Sequence, residues 1–286
     1  MLLVLAGCDK PSGAPNPVSP TAPSFPSASV SEAVLVGAGD ISMCGQPGAA
    51  ATAALLDTIP GTVFTAGDNA YMSGTAADYN CYDRSWGRHR SRTYPAPGNH
   101  EYESAGATPY FQYFGDRAGP LGQGYYAYDL GAWHIVSLNT HVPMGEGSAQ
   151  LAWLRADLQR SRATCVAAIM HLPLVSSGPN GDNPRVRDLW RVLVDAGADV
   201  VISGHDHIYE RHTRMDQDGR PSTRGLRLFN VGTGGATLYR SSTLLPTSEA
   251  KVVAWGVTKF TLLPNSYRWE FISVDGPADS GVDMCQ

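Results

Sequence analysis

The stretch Thr62-Val-Phe-Thr-Ala-Gly-Asp68 is a short apolar run that ends in a glycine and an aspartate. Its length and its content of β-branched and aromatic residues are typical of a buried strand. We therefore predict a strand whose carboxyl end carries the side chain of Asp68 as a potential ligand. Taken alone, such an aspartate is most often a turn residue or a helix N-cap.

The same pattern recurs at four other places. They are Val34-Leu-Val-Gly-Ala-Gly-Asp40, Thr93-Tyr-Pro-Ala-Pro-Gly-Asn99, Val166-Ala-Ala-Ile-Met-His171 and Asp199-Val-Val-Ile-Ser-Gly-His205. Asp40, Asp68 and Asn99 are separated by 28 and 31 residues, and each interval is about the length of one strand-helix-strand step. Because ligands bind at the carboxyl ends of the strands in open α/β sheets, we expect the five corners to converge on one crevice.

Helical patterns separate several of these strands, at residues 49–59, 148–161 and 185–196. Strand and helix therefore alternate, as in an α/β fold. Residues 124–139 and 255–274 instead alternate apolar and polar side chains around turn signals, which predicts two β-hairpins. A mixed fold with two sheets and helices on the outer faces accommodates both kinds of segment in one domain.

The first 31 residues have the composition of an export signal and a tether. Met1-Leu-Leu-Val-Leu-Ala-Gly-Cys8 is too short to span a bilayer and resembles the lipobox of bacterial lipoproteins, with an ordinary signal peptide as the alternative. Residues 9–31 hold six prolines among Ser, Ala and Thr, which is typical of a disordered spacer. We place the folded domain at 32–286 and expect an exported protein of the bacterial periplasm or cell surface, with Cys8 as a candidate lipid anchor.

The charge pattern argues against a surface built to hold nucleic acid. The net charge is −5, only 16% of the residues are charged, and no block of like charges occurs. We therefore expect a small or locally presented substrate.

If Cys8 carries lipid, four cysteines remain, an even number for a compartment in which thiols pair. Of the three pairings that these allow, we prefer Cys44 with Cys81 and Cys165 with Cys285. None of them lies in a C-x-x-C pair, so a structural metal site built from cysteines is not indicated.

Five short blocks together resemble the calcineurin-like metallophosphoesterases and, within them, the purple acid phosphatases. The blocks are Gly39-Asp40-Ile41-Ser42, Gly67-Asp68-Asn69-Ala70-Tyr71, Gly98-Asn99-His100-Glu101, Ile169-Met170-His171 and Gly204-His205-Asp206-His207. The ordered set is highly specific, and the resemblance covers most of residues 34–273. It implies a four-layer α/β/β/α sandwich, in which two central mixed β-sheets pack face to face and helices cover the outer faces.

One detail favours the purple acid phosphatases over the wider superfamily, whose first block is usually D-x-H. Ser42 stands where that histidine would be, and Tyr71 occupies the place of the tyrosine in G-D-x-x-Y. A lost histidine and a gained tyrosine argue together for a metal bound by phenolate, which favours Fe(III) because a hard trivalent ion stabilises phenolate. The alternative for Tyr71 is an aromatic side chain that packs beside the site.

Carried over position by position, the resemblance implies two metal ions that share the carboxylate of Asp68. The implied ligands are Asp40, Asp68, Tyr71 and His207 for the first metal, and Asp68, Asn99, His171 and His205 for the second. Fe(III) suits the first set and Zn(II), Mn(II) or Fe(II) the second, with a pair of divalent ions as the alternative. Two cations about 3.5–4 Å apart clamp a phosphoryl group and acidify a shared water into a hydroxide nucleophile.

His100 follows the implied ligand Asn99 directly. In the family this histidine faces the substrate, where it stabilises the phosphoryl oxygens or protonates the leaving alkoxide, so His100 is the predicted catalytic residue. Glu101 or Asp206 is a candidate for orienting a histidine ring, and a surface carboxylate is the alternative for each.

Plant-type members of the group place further substrate-binding histidines shortly after the block of His171, where this chain reads Leu172-Pro-Leu-Val-Ser-Ser-Gly178. His141 is a candidate for a substrate contact, with a surface histidine as the alternative. Arg211 is a candidate phosphate contact, with a structural ion pair as the alternative. We interpret residues 232–235, Gly-Thr-Gly-Gly, as a tight turn near the site, since the lysine of a P-loop is absent.

The resemblance predicts an enzyme that hydrolyses small phosphate esters, and a phosphomonoesterase of broad specificity is the leading hypothesis. A phosphodiesterase acting on cyclic nucleotides, phospholipid head groups or nucleic acid is the alternative, because the same core serves both reactions. A non-catalytic surface protein that binds a partner or sequesters iron is a third hypothesis. The presence of all seven implied ligands together with His100 argues against it.

Overall fold

The computed structural model describes Leu2 and residues 32–286. Apart from Leu2, the predicted signal segment 1–8 and spacer 9–31 lie outside the described residues, and so does Cys8. The strands of the described part are β1 (Ala33–Ala38), β2 (Ser42–Met43), β3 (Thr62–Ala66), β4 (Ala70–Tyr71), β5 (Thr93–Ala96), β6 (Tyr126–Leu130), β7 (Trp133–Ser137), β8 (Cys165–Ile169), β9 (Val200–Ser203), β10 (Tyr209–Met215), β11 (Leu226–Val231), β12 (Ser248–Val252), β13 (Gly256–Leu263), β14 (Ser266–Ser273) and β15 (Gly276–Met284).

Two large mixed sheets are formed by these strands. One has the order β15-β14-β13-β1-β3-β5 and the other β12-β10-β11-β9-β8-β7-β6, while β2 and β4 form a separate parallel pair. Strands β1, β3 and β5 run parallel in the first sheet, as do β7, β8, β9 and β11 in the second. The predicted hairpins are β6-β7 and β13-β14. All five strands that were predicted to end in a ligand belong to the parallel parts.

The α-helices are α1 (Gly48–Thr58), α2 (Ala76–Asp83), α3 (Asn99–Tyr102), α4 (Thr108–Phe114), α5 (Ala149–Arg160) and α6 (Arg187–Asp195), with short 3-10 helices at Trp86–Arg92, Ala105–Ala107, Gly115–Ala118 and Pro184–Val186. The sequence pattern predicts α1, α5 and α6, whereas α2, α3 and α4 are too short to show a helical period. Across residues 32–286, no helix combines the length and apolar character that a membrane span requires.

The sheets pack face to face across an apolar core that includes Phe64, Ile135, Ile202, Phe229 and Phe260. Each fully buried side chain of this size stabilises the fold by about 1.5–3 kcal/mol relative to its exposed state. Helix α1 and the aromatic side chains of α2 and α4 cover the outer face of the first sheet, and α5 and α6 cover the outer face of the second. The expected four-layer α/β/β/α sandwich is confirmed.

Two disulfides are present among residues 32–286, and they confirm the preferred pairing. Cys44 and Cys81 link the loop after β2 to α2, with a sequence separation of 37. Cys165 and Cys285 link the start of β8 to the segment after β15, with a sequence separation of 120. The second bridge therefore connects the two large sheets covalently.

Candidate metal centre

The seven predicted ligands come together at one edge of the sandwich. Asp40 follows β1, Asp68 follows β3, Tyr71 ends β4, Asn99 opens α3, His171 follows β8, and His205 and His207 follow β9. The two sheets meet here directly, because the backbone N–H of His205 donates a hydrogen bond of 2.8 Å to Oδ2 of Asp40. The crevice expected at the carboxyl ends of the parallel strands is therefore shared by both sheets.

Strained backbone marks three of these positions. Asp40, Asp68 and His205 have φ values of 59°, 49° and 74°, and Ala107 is the other non-glycine residue with positive φ in the described part of the chain. A left-handed conformation costs a residue with a side chain about 1–2 kcal/mol. Such strain persists where the surrounding structure imposes it, and its concentration on predicted ligands marks a functional site.

Two glycines of the sequence blocks permit close approach between the loops. A Cβ atom on Gly67 would lie 2.5 Å from Nδ1 of His171, and one on Gly98 would lie 2.2 Å from Oδ1 of Asp68. Neither distance leaves room for a methyl group. The glycine before Asp68 and the glycine before Asn99 are thus required by packing around the ligands.

We call Asp40, Tyr71 and His207 the first half of the centre. The Oη atom of Tyr71 donates to Oδ1 of Asp40 at 2.7 Å and lies 3.0 Å from Nε2 of His207. Nδ1 of His207 donates to the carbonyl oxygen of Thr237 at 2.6 Å. In the neutral ring, Nε2 therefore carries the free lone pair, and it faces Oδ1 of Asp40 at 3.3 Å.

We call Asn99, His171 and His205 the second half. Oδ1 of Asn99 lies 3.0 Å from Nε2 of His171 and 3.1 Å from Nδ1 of His205, and the two ring nitrogens are 3.2 Å apart. Nδ1 of His171 donates to the carbonyl oxygen of Ala66 at 2.9 Å, which leaves the lone pair of the neutral ring on Nε2. An amide oxygen and two ring nitrogens thus face a common point.

Asp68 belongs to both halves. Its Oδ2 atom lies 3.1 Å from Oη of Tyr71 and 3.2 Å from Nε2 of His171, while Oδ1 accepts the backbone N–H of His100 at 2.9 Å. Ligand atoms of Asp68, His171 and His205 all lie within 4.8 Å of one another. Lone pairs that converge from carboxylates, an amide and oriented imidazoles match the donor preferences of two cations. The residues present therefore fit the binuclear centre that the sequence blocks imply.

Burial and mutual charge set the protonation of these groups. Burial raises the pKa of Asp68, but the positive charge of His171 outweighs it and holds that pKa well below the usual range. Burial lowers the pKa of His171, yet the charge and hydrogen bond of Asp68 raise it to about 9. Burial, followed by Asp40 and Asp68, raises the pKa of Tyr71 well above its usual value. Cations that bind to these atoms take the places of protons, so metal uptake releases protons.

His100 lies beside the ligands, as its predicted role requires. Its ring packs on that of Tyr71 with a centroid distance of 4.3 Å, and its Nε2 atom is 3.8 Å from Oδ2 of Asp68. Nδ1 donates to the carbonyl oxygen of Met72, which fixes the ring. The side chain keeps 25% of its surface exposed, so the ring is open to a bound substrate.

The structure does not place Glu101 or Asp206 against a histidine ring within the described residues. Glu101 accepts the backbone N–H groups of Gly98 at 2.7 Å, Asn69 at 2.8 Å and Asp68 at 3.0 Å, and so it holds two ligand loops together. Asp206 accepts a backbone N–H from the loop that follows β8. Two backbone carbonyl oxygens orient the rings instead, and no side-chain pattern in the sequence signals them.

Residues near the site include one that the sequence did not reveal. The ring of Tyr239 stacks on that of His207 at a centroid distance of 4.0 Å and an angle of 8°.

The predicted glycine-rich turn does lie beside the site, because Gly234 donates its backbone N–H to the carbonyl oxygen of Gly39 at 2.8 Å. Arg211 instead pairs with carboxylates on β15 and β12, which confirms the structural interpretation.

Sequence comparison identifies related proteins. A family model described as calcineurin-like phosphoesterase matches residues 35–209. Probable purple acid phosphatase 20 of Arabidopsis thaliana is 32% identical over 129 residues, which cover 41% of this chain and 30% of that protein. Purple acid phosphatase 15 of the same organism is 27% identical over 201 residues, which cover 56% of this chain and 37% of that protein. The matches thus span 30% and 37% of the lengths of these two relatives.

Solved structures share the architecture. Purple acid phosphatase PPD1 from yellow lupin (Lupinus luteus) seeds superposes with a TM-score of 0.80 at 20% identity, covering 91% of this chain and 55% of the other. GAP50, the anchor in the inner membrane complex of Plasmodium, superposes with a TM-score of 0.69 at 14% identity, covering 89% of each chain. At these identities the likeness shows a shared fold.

Proposed function

The chain belongs to the calcineurin-like phosphoesterase family, and from this premise we propose that it is a purple acid phosphatase-like phosphomonoesterase that acts on small esters. One observation carries the proposal. Oδ2 of Asp68 lies 3.1 Å from the phenol oxygen of Tyr71 and 3.2 Å from Nε2 of His171, so a single carboxylate oxygen faces both donor sets. That arrangement is what two cations sharing one bridge require.

The donor types support different ions in the two halves. Asp40 and Tyr71 offer oxygen ligands that suit Fe(III), whereas the amide of Asn99 and two imidazoles suit Zn(II), Mn(II) or Fe(II). A pair of divalent ions is the alternative. When bound, the two cations clamp the phosphoryl group and acidify the attacking water.

His100 completes the proposed chemistry from the side of the first half. Because Nδ1 is engaged by the carbonyl oxygen of Met72, Nε2 is the atom that meets the substrate. Nε2 lies 3.8 Å from the shared carboxylate oxygen of Asp68, which puts it within reach of a phosphoryl group held at the centre. A proton on Nε2 then stabilises a phosphoryl oxygen or passes to the leaving alkoxide.

Hydrolysis of p-nitrophenyl phosphate and of bis(p-nitrophenyl) phosphate by the purified, metal-loaded protein tests the proposal. We expect faster turnover of the monoester. Activity confined to the diester would establish the phosphodiesterase alternative. GAP50, which shares this fold, is itself described as an anchor, so absence of hydrolysis of both esters would favour the non-catalytic alternative.

The role of His100 has its own test. We expect His100→Ala to lower kcat about 10²- to 10⁴-fold, which is the range for loss of a general acid or base, without a change in metal content. His134→Ala is the matched control, because that histidine lies at the start of β7 and pairs with two aspartates. An unchanged kcat in His100→Ala would refute the assignment.

We propose that the protein is exported and acts outside the cytoplasm. The two disulfides support it, because such bridges persist in oxidising compartments such as the bacterial periplasm and the cell surface. We propose Cys8 as the site of a lipid anchor. Mass spectrometry of the protein from membranes, compared with a Cys8→Ser variant, tests this: an unmodified Cys8 would exclude the anchor.

A further inference from the structure

A second histidine outside the ligand set lies at the opposite side of the centre. The ring of His141, just beyond β7, has its centroid 6.1 Å from that of His171. The ring of His100, by contrast, packs on Tyr71 with a centroid distance of 4.3 Å. One non-ligand imidazole therefore flanks each half of the centre.

A buried amide holds the turn that carries His141. Oδ1 of Asn139 accepts the backbone N–H of His141 at 2.9 Å, and Nδ2 donates to Oη of Tyr102 and to the carbonyl oxygen of Gln123, each at 2.7 Å. Gln150 pairs with both backbone groups of Asn139 at 2.8 Å. Asn139 is fully buried, so this network is protected from water and rigid.

The imidazole ring is itself packed in place. The ring of Tyr102 stacks against it with a centroid distance of 5.7 Å and an angle of 23°. Tyr102 ends α3, the helix that begins with Asn99. The position of His141 is thus tied to that of a second-half ligand, which distinguishes it from a surface histidine on a free loop.

One ring nitrogen is left for a ligand. Nδ1 of His141 lies 3.2 Å from Oγ1 of Thr140, and no protein partner within residues 32–286 engages Nε2. We infer that His141 is a substrate-positioning residue, whose Nε2–H donates to a phosphoryl oxygen on the side of the second half. This inference rests on the proposed function, and it identifies His141 as a group that favours monoesters over diesters.

The chemistry of the two ester classes explains the preference. A phosphomonoester has three non-bridging oxygens, whereas a diester has two. If two of these oxygens bound the cations, the third oxygen, which only the monoester has, would be left to accept the Nε2–H of His141. Loss of a hydrogen bond to a charged oxygen weakens binding by about 10- to 100-fold. Removal of His141 should therefore harm the monoester more than the diester.

Replacing His141 by alanine and by glutamine tests the inference, since the glutamine amide reaches the position of Nε2. We measure kcat and KM for p-nitrophenyl phosphate and its bis-ester, binding of inorganic phosphate by calorimetry, and metal content. His141→Ala should bind phosphate about 10- to 100-fold more weakly. Its KM for the monoester should rise, and its ratio of monoester to diester kcat/KM should fall. His141→Gln should restore part of each loss, and the His134→Ala control should show none.

The outcomes separate this inference from the proposed function. If the wild type hydrolyses the monoester and His141→Ala keeps both phosphate affinity and the ester ratio, the inference is wrong and the proposed function stands. If the wild type hydrolyses no ester but His141→Ala weakens phosphate binding, the proposed function is wrong, and what stands is the contact of His141 with a phosphoryl oxygen. Loss of metal in both His141 variants would make the residue a structural support and overturn the inference.

Discussion

The two halves of the candidate centre differ in charge. Asp40 and Tyr71 give the first half one carboxylate and one ionisable phenol, whereas the second half consists of the amide of Asn99 and two imidazoles. Asp68 contributes equally to both, through one oxygen at 3.1 Å and 3.2 Å from its two neighbours. This asymmetry of donors is the basis for proposing a trivalent ion in the first half beside a divalent ion in the second.

The halves also differ in what supports them. His171 and His205 follow β8 and β9, two central strands of the larger sheet with core on both faces. Tyr71 ends β4, which pairs only with β2 outside the large sheets, and the disulfide between Cys44 and Cys81 closes this region. Packing of the sheet therefore orders His171 and His205, while a covalent bridge assists the segment that carries Tyr71.

Replacement of the shared carboxylate should affect both halves alike and cause the largest loss of metal and of turnover. Mutation of a residue that only hydrogen-bonds to a metal ligand already lowers metal affinity or activity by about 10- to 100-fold. We therefore expect Asp68→Asn, which changes a ligand itself, to lower kcat by more than about a hundredfold and to lose metal from both halves. Elemental analysis and turnover of p-nitrophenyl phosphate measure this. Asp57→Asn, at an exposed ion pair on α1, is the control. Two retained metals in Asp68→Asn would contradict the bridge.

Removal of the phenol should affect one half only. We expect Tyr71→Phe to eliminate the visible charge-transfer band of a tyrosinate-iron pair and to weaken metal binding in the first half by about 10- to 100-fold, with the second metal retained. The visible spectrum and metal stoichiometry report this, and Tyr113→Phe serves as a control away from the ligands. A colourless, iron-free but active wild type would assign divalent ions to both halves.

Removal of either disulfide should lower the stability of the fold, but only removal of the bridge between Cys44 and Cys81 should also weaken metal binding. Cys44→Ser with Cys81→Ser, and Cys165→Ser with Cys285→Ser, should each lower the free energy of unfolding by about 2–5 kcal/mol, somewhat more for the longer loop. Only the first pair should also lower metal content in the first half, because it alone closes that region. Urea unfolding and elemental analysis decide this. Equal metal content in both double variants would refute the proposed support.

The smallest expected effect is a pH dependence far from the metals. Both ring nitrogens of His134 lie 2.7 Å from carboxylate oxygens, one of Asp129 and one of Asp157. Burial lowers the pKa of His134, but these hydrogen bonds outweigh it and raise the pKa above 6.5. The folded state therefore binds the proton more tightly, so this stabilisation is complete below about pH 6.5 and is lost as the pH rises through the folded pKa.

We expect His134→Asn to lower the free energy of unfolding by about 1 kcal/mol or less at pH 5.5, because the Asp129 side chain is 78% exposed and its charge is screened. The difference should shrink at pH 8.5. Urea unfolding at both pH values measures it, with turnover unchanged at either. A difference that does not vary with pH would show that packing of the ring, rather than its charge, is what matters.

The sequence alone predicted the elements with strong local signals. Apolar runs that end in a polar residue predicted five strands and brought five candidate ligands to one edge, because parallel strands expose their carboxyl ends at the same edge of a sheet. Tyr71 and His207 followed from the family resemblance. The short aromatic helices and the edge strand β12 were not predicted, since a few residues show no clear periodicity. The edge strand β15 was not predicted because its nine residues, Gly-Pro-Ala-Asp-Ser-Gly-Val-Asp-Met, show no sustained alternation of apolar and polar side chains.

The choice of donor residues and the strands that bear them were thus determined by the sequence. Only the tertiary structure decided how the donors face one another. Carbonyl oxygens from Ala66 and Thr237 orient two rings, Glu101 joins two loops, and Tyr102 packs on His141. These contacts use backbone groups and partners distant along the chain, which carry no local sequence signal because any residue supplies a carbonyl and only folding brings it near.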